Sequence, residues 1–143
     1  MSLFICPLCQ SPLHPAADTW RCDGSLNPKQ TAHPFDVARQ GYVNLLPVQQ
    51  KKSKAPGDSQ QSIEARKRFL NAGHYQPLND LICQKMTTLL MAKKASLKQK
   101  NKPINWLDIG CGEGYYTQAM AQTGMDMLIA ADISKPAVVE LAR

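Results

Sequence analysis

Apolar and polar positions change rhythm along this chain, and the changes mark its elements. Phe35-Asp36-Val37 and Tyr42-Val43-Asn44-Leu45-Leu46 alternate like strands, and predict a hairpin that turns at Arg39-Gln40-Gly41. From Val48 to Asp58 the pattern vanishes into a polar, basic, turn-rich stretch that reads as an exposed linker. Asp58 with Gln61 predicts a helix start and Gly73 its stop, with Ile63, Phe69 and Leu70 enclosed. After the turn at His74-Tyr75-Gln76-Pro77, Leu78, Leu81, Ile82, Met86, Leu89 and Leu90 keep helical spacing, with Cys83 beside this stripe as an ordinary thiol. A lysine-bearing loop from Ser96 to Lys102 ends at Pro103 and leads into the strand Asn105–Ile109. A helix is expected from about Glu113 to Thr123, closed by Gly124, then a strand over Met127–Ala131, then a helix capped by Ser134 with Pro136 in its first turn.

Where the strand Asn105–Ile109 meets the next helix, the chain reads Asp108-Ile109-Gly110-Cys111-Gly112-Glu113-Gly114. Alternate glycines let the backbone bend sharply and let a ligand lie against bare main chain. The helix that follows adds free N–H groups and a positive dipole end. The next strand ends in Asp132, placed to accept hydrogen bonds from ribose hydroxyls. Dinucleotide folds favour G-x-G-x-x-G, shaped for a pyrophosphate. Here the pattern is D-x-G-x-G-x-G, and Asp108 with Asp132 would repel a pyrophosphate. Such a pair suits a ligand with positive charge, such as the sulfonium and ammonium of S-adenosylmethionine. The bland alternative is a tight strand-to-helix turn with no ligand.

Cysteine usage adds a second chemistry. Five cysteines, with no secretion signal at the N-terminus, argue for thiols or metal ligands rather than disulfides, and for a cytoplasmic protein. Cys6-Pro7-Leu8-Cys9 is a C-x₂-C knuckle, followed by Cys22 and then His33. Three thiolates and one imidazole make a closed tetrahedral Zn²⁺ site, which a segment too short for its own apolar core needs as a staple. His14 competes for the fourth position, but sits close to Cys9 for closing the far side. The net charge of +6 favours an anionic partner such as nucleic acid, with Arg66, Lys67 and Arg68 and the linker lysines as candidate contacts. No apolar run approaches the roughly 20 residues of a membrane span.

Together these stretches resemble the 23S ribosomal RNA guanine-N1 methyltransferases, which join an N-terminal zinc ribbon to a class I methyltransferase domain. The resemblance runs through Cys6-Pro7-Leu8-Cys9, Gly41–Pro47, Pro56-Gly57-Asp58-Ser59, Ala72-Gly73-His74-Tyr75-Gln76-Pro77-Leu78 and Leu107–Tyr116. It implies an α/β chain: a zinc ribbon over 1–47, a basic linker over 48–58, and the front of a Rossmann-like methyltransferase domain over 59–143. It implies Cys6, Cys9, Cys22 and His33 as zinc ligands, and Tyr75, Gly112 and Glu113 as contacts to S-adenosylmethionine, Tyr75 by folding over the pocket. Asp108, Gly110, Gly114 and Asp132 complete the expected cofactor site. In the family the third cysteine and the histidine lie only a few residues apart, whereas Asp23–Ala32 intervenes here.

The implied reaction is methylation of guanine N1 in 23S rRNA. No residue in the chain presents itself as the general base, so no catalytic residue is assigned. Two strands fall short of the about six of a nucleotide-binding sheet, so the chain is expected to be the front of a longer protein and weak or inactive alone. The competing reading is a non-enzymatic, RNA-binding zinc-ribbon module. A nicotinamide-dependent oxidoreductase is disfavoured by the glycine spacing and Asp108. Pairing into a homodimer is not legible in the sequence.

Overall fold

A computed structural model describes residues 2–97 and 103–143 of the chain. Two units are distinct, Met1–Pro56 together with the last two residues, and Gly57–Leu141.

In the first unit four short strands follow in order: β1 (Phe4–Ile5), β2 (Pro12–His14), β3 (Thr19–Cys22) and β4 (Pro34–Asp36). They form one antiparallel sheet in chain order, with Leu13 opposite Phe4 on one side and Cys22 on the other. Strands of two to four residues carry little ladder energy, and the buried centre is small: Cys6, Leu13 and Cys22, flanked by Phe4, Cys9, Trp20, Phe35 and Leu45. Phe4 and Trp20 pack ring on ring with centroids 4.7 Å apart. The expected hairpin over 35–46 shrinks to a single bridge, Val37 with Val43, closed by Ala38 N–H to Tyr42 O at 2.8 Å. Asn44 explains why it stops there. Its side chain accepts from Leu46 N–H at 3.1 Å, a local turn that competes with strand pairing.

The second unit opens with α1 (Gln60–Asn71) and α2 (Gln76–Leu97). Helix α1 begins one residue later than the sequence suggests, because Ser59 is the cap: its hydroxyl accepts from Ser62 N–H at 3.2 Å. Asp58 is drawn instead to Arg66, at 2.6 Å. Ile63 and Leu70 bury, while Phe69 stays outside and meets the rings of His74 and Tyr75. Gly73, with φ of +84°, turns the chain into α2. The buried stripe of α2 is narrower than the apolar spacing implies. Asn79, Met86 and Leu90 are buried, whereas Leu78, Leu81 and Leu89 face outward. Ser96 and Leu97 extend α2 rather than starting a loop. The rest of that expected basic loop, up to Lys102, lies outside the described residues.

Strand β5 (Asn105–Ile109) pairs in parallel with β6 (Met127–Ala131), joined by helix α3 (Tyr115–Ala121) and followed by α4 (Lys135–Leu141). This βαβ unit places Ile109 opposite Ala131, so both strands end at the same level. The α/β architecture is thus a small four-stranded ribbon followed by helices and a two-stranded parallel part of a Rossmann-like sheet. Among the described residues no helix is long and apolar enough to cross a membrane.

Candidate metal centre and cofactor pocket

The first site is built by hairpins. Cys6 and Cys9 sit on the tight turn after β1, where Gln10 N–H bonds Cys6 O at 2.8 Å and Cys6 N–H bonds Ser11 O at 2.8 Å. Cys22 ends β3. The excursion from Asp23 to Ala32 closes on itself, since Asn27 donates to Thr31 O at 2.7 Å and Gln30 N–H bonds Asn27 O at 2.8 Å. Cys22 N–H then bonds His33 O at 3.2 Å, and His33 N–H bonds Cys22 Sγ at 3.0 Å. A longer loop therefore returns its histidine to the place a shorter one would reach.

The donor atoms of Cys6, Cys9, Cys22 and His33 all lie within 4.8 Å of one another. Cys9 Sγ and Cys22 Sγ are 3.7 Å apart, and His33 Nδ1 is 3.6 Å from both Cys6 Sγ and Cys22 Sγ. With Zn–S near ~2.3 Å and Zn–N near ~2.0 Å, tetrahedral angles put two sulfurs about 3.8 Å apart and a sulfur and nitrogen about 3.6 Å apart. The cluster matches that cage in size and donor type, so the residues fit zinc. His14 is not part of it. It lies on the exposed surface, 3.9 Å from Asp23. Ser11, fully buried, accepts from Leu26 N–H at 2.9 Å and stands 3.2 Å from Cys9 Sγ. The side-chain hydrogen bond between Cys9 and the Ser11 hydroxyl is the main cause that lowers the Cys9 thiol to about 6. Burial pushes Cys6 the other way.

The second site lies at the carboxyl ends of β5 and β6. Gly110, Gly112 and Gly114 all adopt positive φ, +78°, +58° and +89°. That backbone places Gly112 N–H on Asp132 Oδ2 at 2.9 Å, while Asp132 Oδ1 accepts from Ser134 N–H at 2.7 Å. Each oxygen keeps a lone pair for a ligand hydroxyl. Asp108 is held differently. Its Oδ2 accepts from Thr117 Oγ1 at 2.6 Å, on the side of the sheet that α3 covers. Asp108 therefore braces α3 and adds its charge from behind the turn. An open cleft of about 450 Å³ runs along these strand ends, lined by Gly57, Asp58, Ile109, Gly110, Ala131, Asp132 and Ile133.

Glu113 stands on the same turn, buried, with Oε2 lacking any hydrogen-bond partner among the described residues. An orphaned buried carboxylate oxygen is costly unless a ligand or ion completes it. Burial, and then the charges of Asp132, Asp108 and Glu113, push the Cys111 thiol up to about 11. The turn is thus ringed by carboxylates, which fits a cationic ligand and disfavours a pyrophosphate. Tyr75 is half-exposed at the start of α2, next to Gln76, whose Oε1 receives the Tyr115 hydroxyl at 3.4 Å. It is close enough to Tyr116 to help raise that phenol, after burial and Tyr115. Of the basic residues suggested for nucleic acid, two of the three on α1 are engaged elsewhere: Arg66 with Asp58 and Glu113, and Lys67 with Glu140. From the sequence, Gly57 and Asp58 read as the end of the linker and a helix start, within one of the segments that carry the resemblance, and not as part of a site.

Residues 4–54 match the zinc-ribbon family model described as "RlmA, N-terminal". Along 96% of its length the chain is 34% identical to a 23S rRNA (guanine(748)-N(1))-methyltransferase of Streptomyces fradiae, of which it covers 43%. It is 33% identical, again over 96% of its length, to a Micromonospora griseorubida protein named "Putative 23S rRNA (guanine-N(1)-)-methyltransferase", of which it covers 46%. A similarly named protein of Bacillus subtilis (strain 168) is 30% identical over 99% of the chain. The chain spans less than half the length of these relatives. By its ribbon and by these matches along nearly its whole length, the chain is similar to the front part of 23S rRNA (guanine-N1)-methyltransferases.

Proposed function

We propose that this chain is the zinc-ribbon and cofactor-binding part of an S-adenosylmethionine-dependent enzyme that methylates guanine N1 in 23S rRNA, in the cytoplasm. One observation carries the reading. A cleft walled by Asp132 and Gly110, with the buried, unsatisfied Glu113 three residues further along the same glycine turn, sits at the strand ends of a chain that aligns along 96% of its length with such an enzyme. In this reading residues 1–47 are the ribbon, 48–58 a linker and 59–143 the front of the catalytic domain. Cys6, Cys9, Cys22 and His33 hold zinc, which supplies folding energy rather than chemistry.

S-adenosylmethionine, when bound, supplies an electrophilic methyl group on a sulfonium. The chain's residues bind and orient it. The Asp132 carboxylate accepts from ribose hydroxyls, and the main chain of Gly110–Gly114 offers a surface without side chains. Glu113 accepts a donor group of the ligand, Tyr75 covers it, and Asp108 lends negative charge while fixing α3. Proton removal from guanine N1 is assigned to no residue of this chain. The 17 lysines and arginines against 11 acids support RNA docking by the ribbon and its surroundings, with binding that weakens as salt rises.

The test is methyl transfer from labelled S-adenosylmethionine to 23S rRNA by the full-length protein, with residues 1–143 assayed beside it. Transfer to guanine N1 by the full-length protein alone is expected. A second reading, a non-enzymatic RNA-binding zinc module, is favoured by one observation: among the described residues the four grouped metal donors all fall within residues 6–33, in a ribbon with its own four-stranded sheet. RNA binding with zinc, but no S-adenosylmethionine binding by the full-length protein, would select it.

A further inference from the structure

Arg66 lies at the junction of two loops that the cofactor pocket needs. Its Nη2 meets Asp58 Oδ2 at 2.6 Å, and its Nη1 is 3.8 Å from Glu113 Oε2. The same guanidinium lies against the glycine turn, with Nη1 3.4 Å from the point a Cβ on Gly112 would occupy. Asp58 in turn is wall: with Gly57 it lines the cleft. Gly57 packs so closely on Ser134 that a Cβ there would fall 2.7 Å from the Ser134 Cα. Ser134 Oγ donates to Asp58 O at 2.8 Å, Ser134 N–H to Asp132 Oδ1, and Gly112 N–H to Asp132 Oδ2. The contacts form a closed circuit: Asp58, Arg66, Glu113, Gly112, Asp132, Ser134 and back to Asp58.

We propose that Arg66 is a positioning residue for the cofactor, a fork that clamps the Gly57–Asp58 wall to the glycine turn and sets the Glu113 carboxylate for the ligand. The proposal rests on the reading of the cleft as an S-adenosylmethionine site. The chemistry favours arginine specifically. A planar guanidinium presents donors in two directions and can bridge two carboxylates at once, whereas an ammonium is a single point charge. The Glu113 side chain is only 5% exposed, and its Oε2 has no hydrogen-bond partner among the described residues. A buried carboxylate with a shared cation at ion-pair distance, but no hydrogen bond from it, is partly compensated and still free to accept from a ligand. Preorganising such a group before binding is what raises affinity.

The test titrates S-adenosylmethionine calorimetrically into the full-length protein and its Arg66→Ala, Arg66→Lys, Asp58→Asn, Glu113→Gln and Arg66→Ala/Glu113→Gln variants, with unliganded melting temperatures measured alongside. Arg66→Ala is expected to weaken binding about tenfold, the scale of one charge-assisted hydrogen bond. Arg66→Lys should recover only part of that, and the double variant should bind no more weakly than the weaker single one. Binding by Arg66→Ala within twofold of wild type would overturn the proposal. So would losses that simply multiply in the double variant, since a mere structural pin acts independently of Glu113. If Arg66→Ala does not fold, Asp58→Asn decides: weaker binding at an unchanged melting temperature supports the clamp, and unchanged binding rejects it. A wild-type protein that binds no S-adenosylmethionine would instead defeat the functional reading, and the clamp with it.

Discussion

At the scale of single residues, the two histidines of the ribbon make a sharp contrast. His33 Nδ1 sits 3.6 Å from two sulfurs, while His14 lies on the surface beside Asp23. Removing a direct ligand should exceed the about 10–100-fold loss typical of outer partners, so His33→Ala is expected to lower zinc affinity more than a hundredfold. His14→Ala should leave it unchanged, as read by competition with a coloured chelator. Cys111 offers the pH-dependent counterpart. Its thiol is pushed from 9.0 up to about 11 by burial first and by the carboxylates around it second. Raising the pKa of an acid favours the neutral form, so at pH 8 the thiolate population falls about a hundredfold. A more basic thiolate is also more nucleophilic, which returns part of that factor. The net expectation is iodoacetamide labelling of Cys111 about tenfold slower than an unperturbed thiol, followed by peptide mass spectrometry across pH 7–10. Labelling as fast as a free thiol would mean that the turn is open and its carboxylates distant.

At the scale of elements, the loop before α1 decides more than its length suggests. Gly57 has φ of +82°, and a Cβ would strike the Ser134 backbone at 2.7 Å, so Gly57→Ala must displace main chain. Gly124 has almost the same φ, +88°, but nothing within 4 Å of its Cβ position. Gly124→Ala should therefore cost about 1–2 kcal/mol of backbone strain alone. Gly57→Ala should cost clearly more in urea denaturation and weaken S-adenosylmethionine binding as well. Equal costs would mean that the wall does not pack on Ser134. This pair also marks what the sequence could and could not tell. The strand–glycine–helix–strand unit and the grouping of Cys6, Cys9, Cys22 and His33 were legible, because their signals are local: an apolar run, alternate glycines, a knuckle. The turn of Asp108 toward Thr117, away from the pocket it was expected to face, was not. The Gly57–Asp58 wall was not, since it touches Ser134 across 76 positions of sequence. The narrowing of the α2 stripe and the loss of the second ribbon hairpin have the same origin. Spacing says which residues share a face. It does not say how much of that face a neighbour covers, or that Asn44 diverts the backbone for its own hydrogen bond.

At the scale of the whole molecule, the two units are held by different forces, and metal removal should separate them. In the first unit two of the three residues at the buried centre, Cys6 and Cys22, are also metal donors, and the third is Leu13. Taking zinc away leaves these thiols without the bonds that fix the hairpins, and the two- to four-residue strands cannot compensate by pairing. In the second unit Ile63, Leu70, Met86, Leu90, Met120 and Ala137 are buried with no metal donor among them. A strong chelator is therefore expected to speed amide hydrogen exchange throughout residues 2–56, most of all around Cys6 and Cys22. Protection in α1, α2 and α3 should persist, and far-ultraviolet circular dichroism should keep its helical signal. Re-adding zinc should restore the ribbon's protection at one equivalent. Loss of protection in both units together would mean that the ribbon carries the fold of the rest. No change in either would mean that the cluster of four donors is a packed thiol centre and not a metal site. The selective outcome follows from what fills each centre: Leu13 and two metal-donor thiols in the ribbon, against six buried apolar residues without a metal donor beyond residue 56.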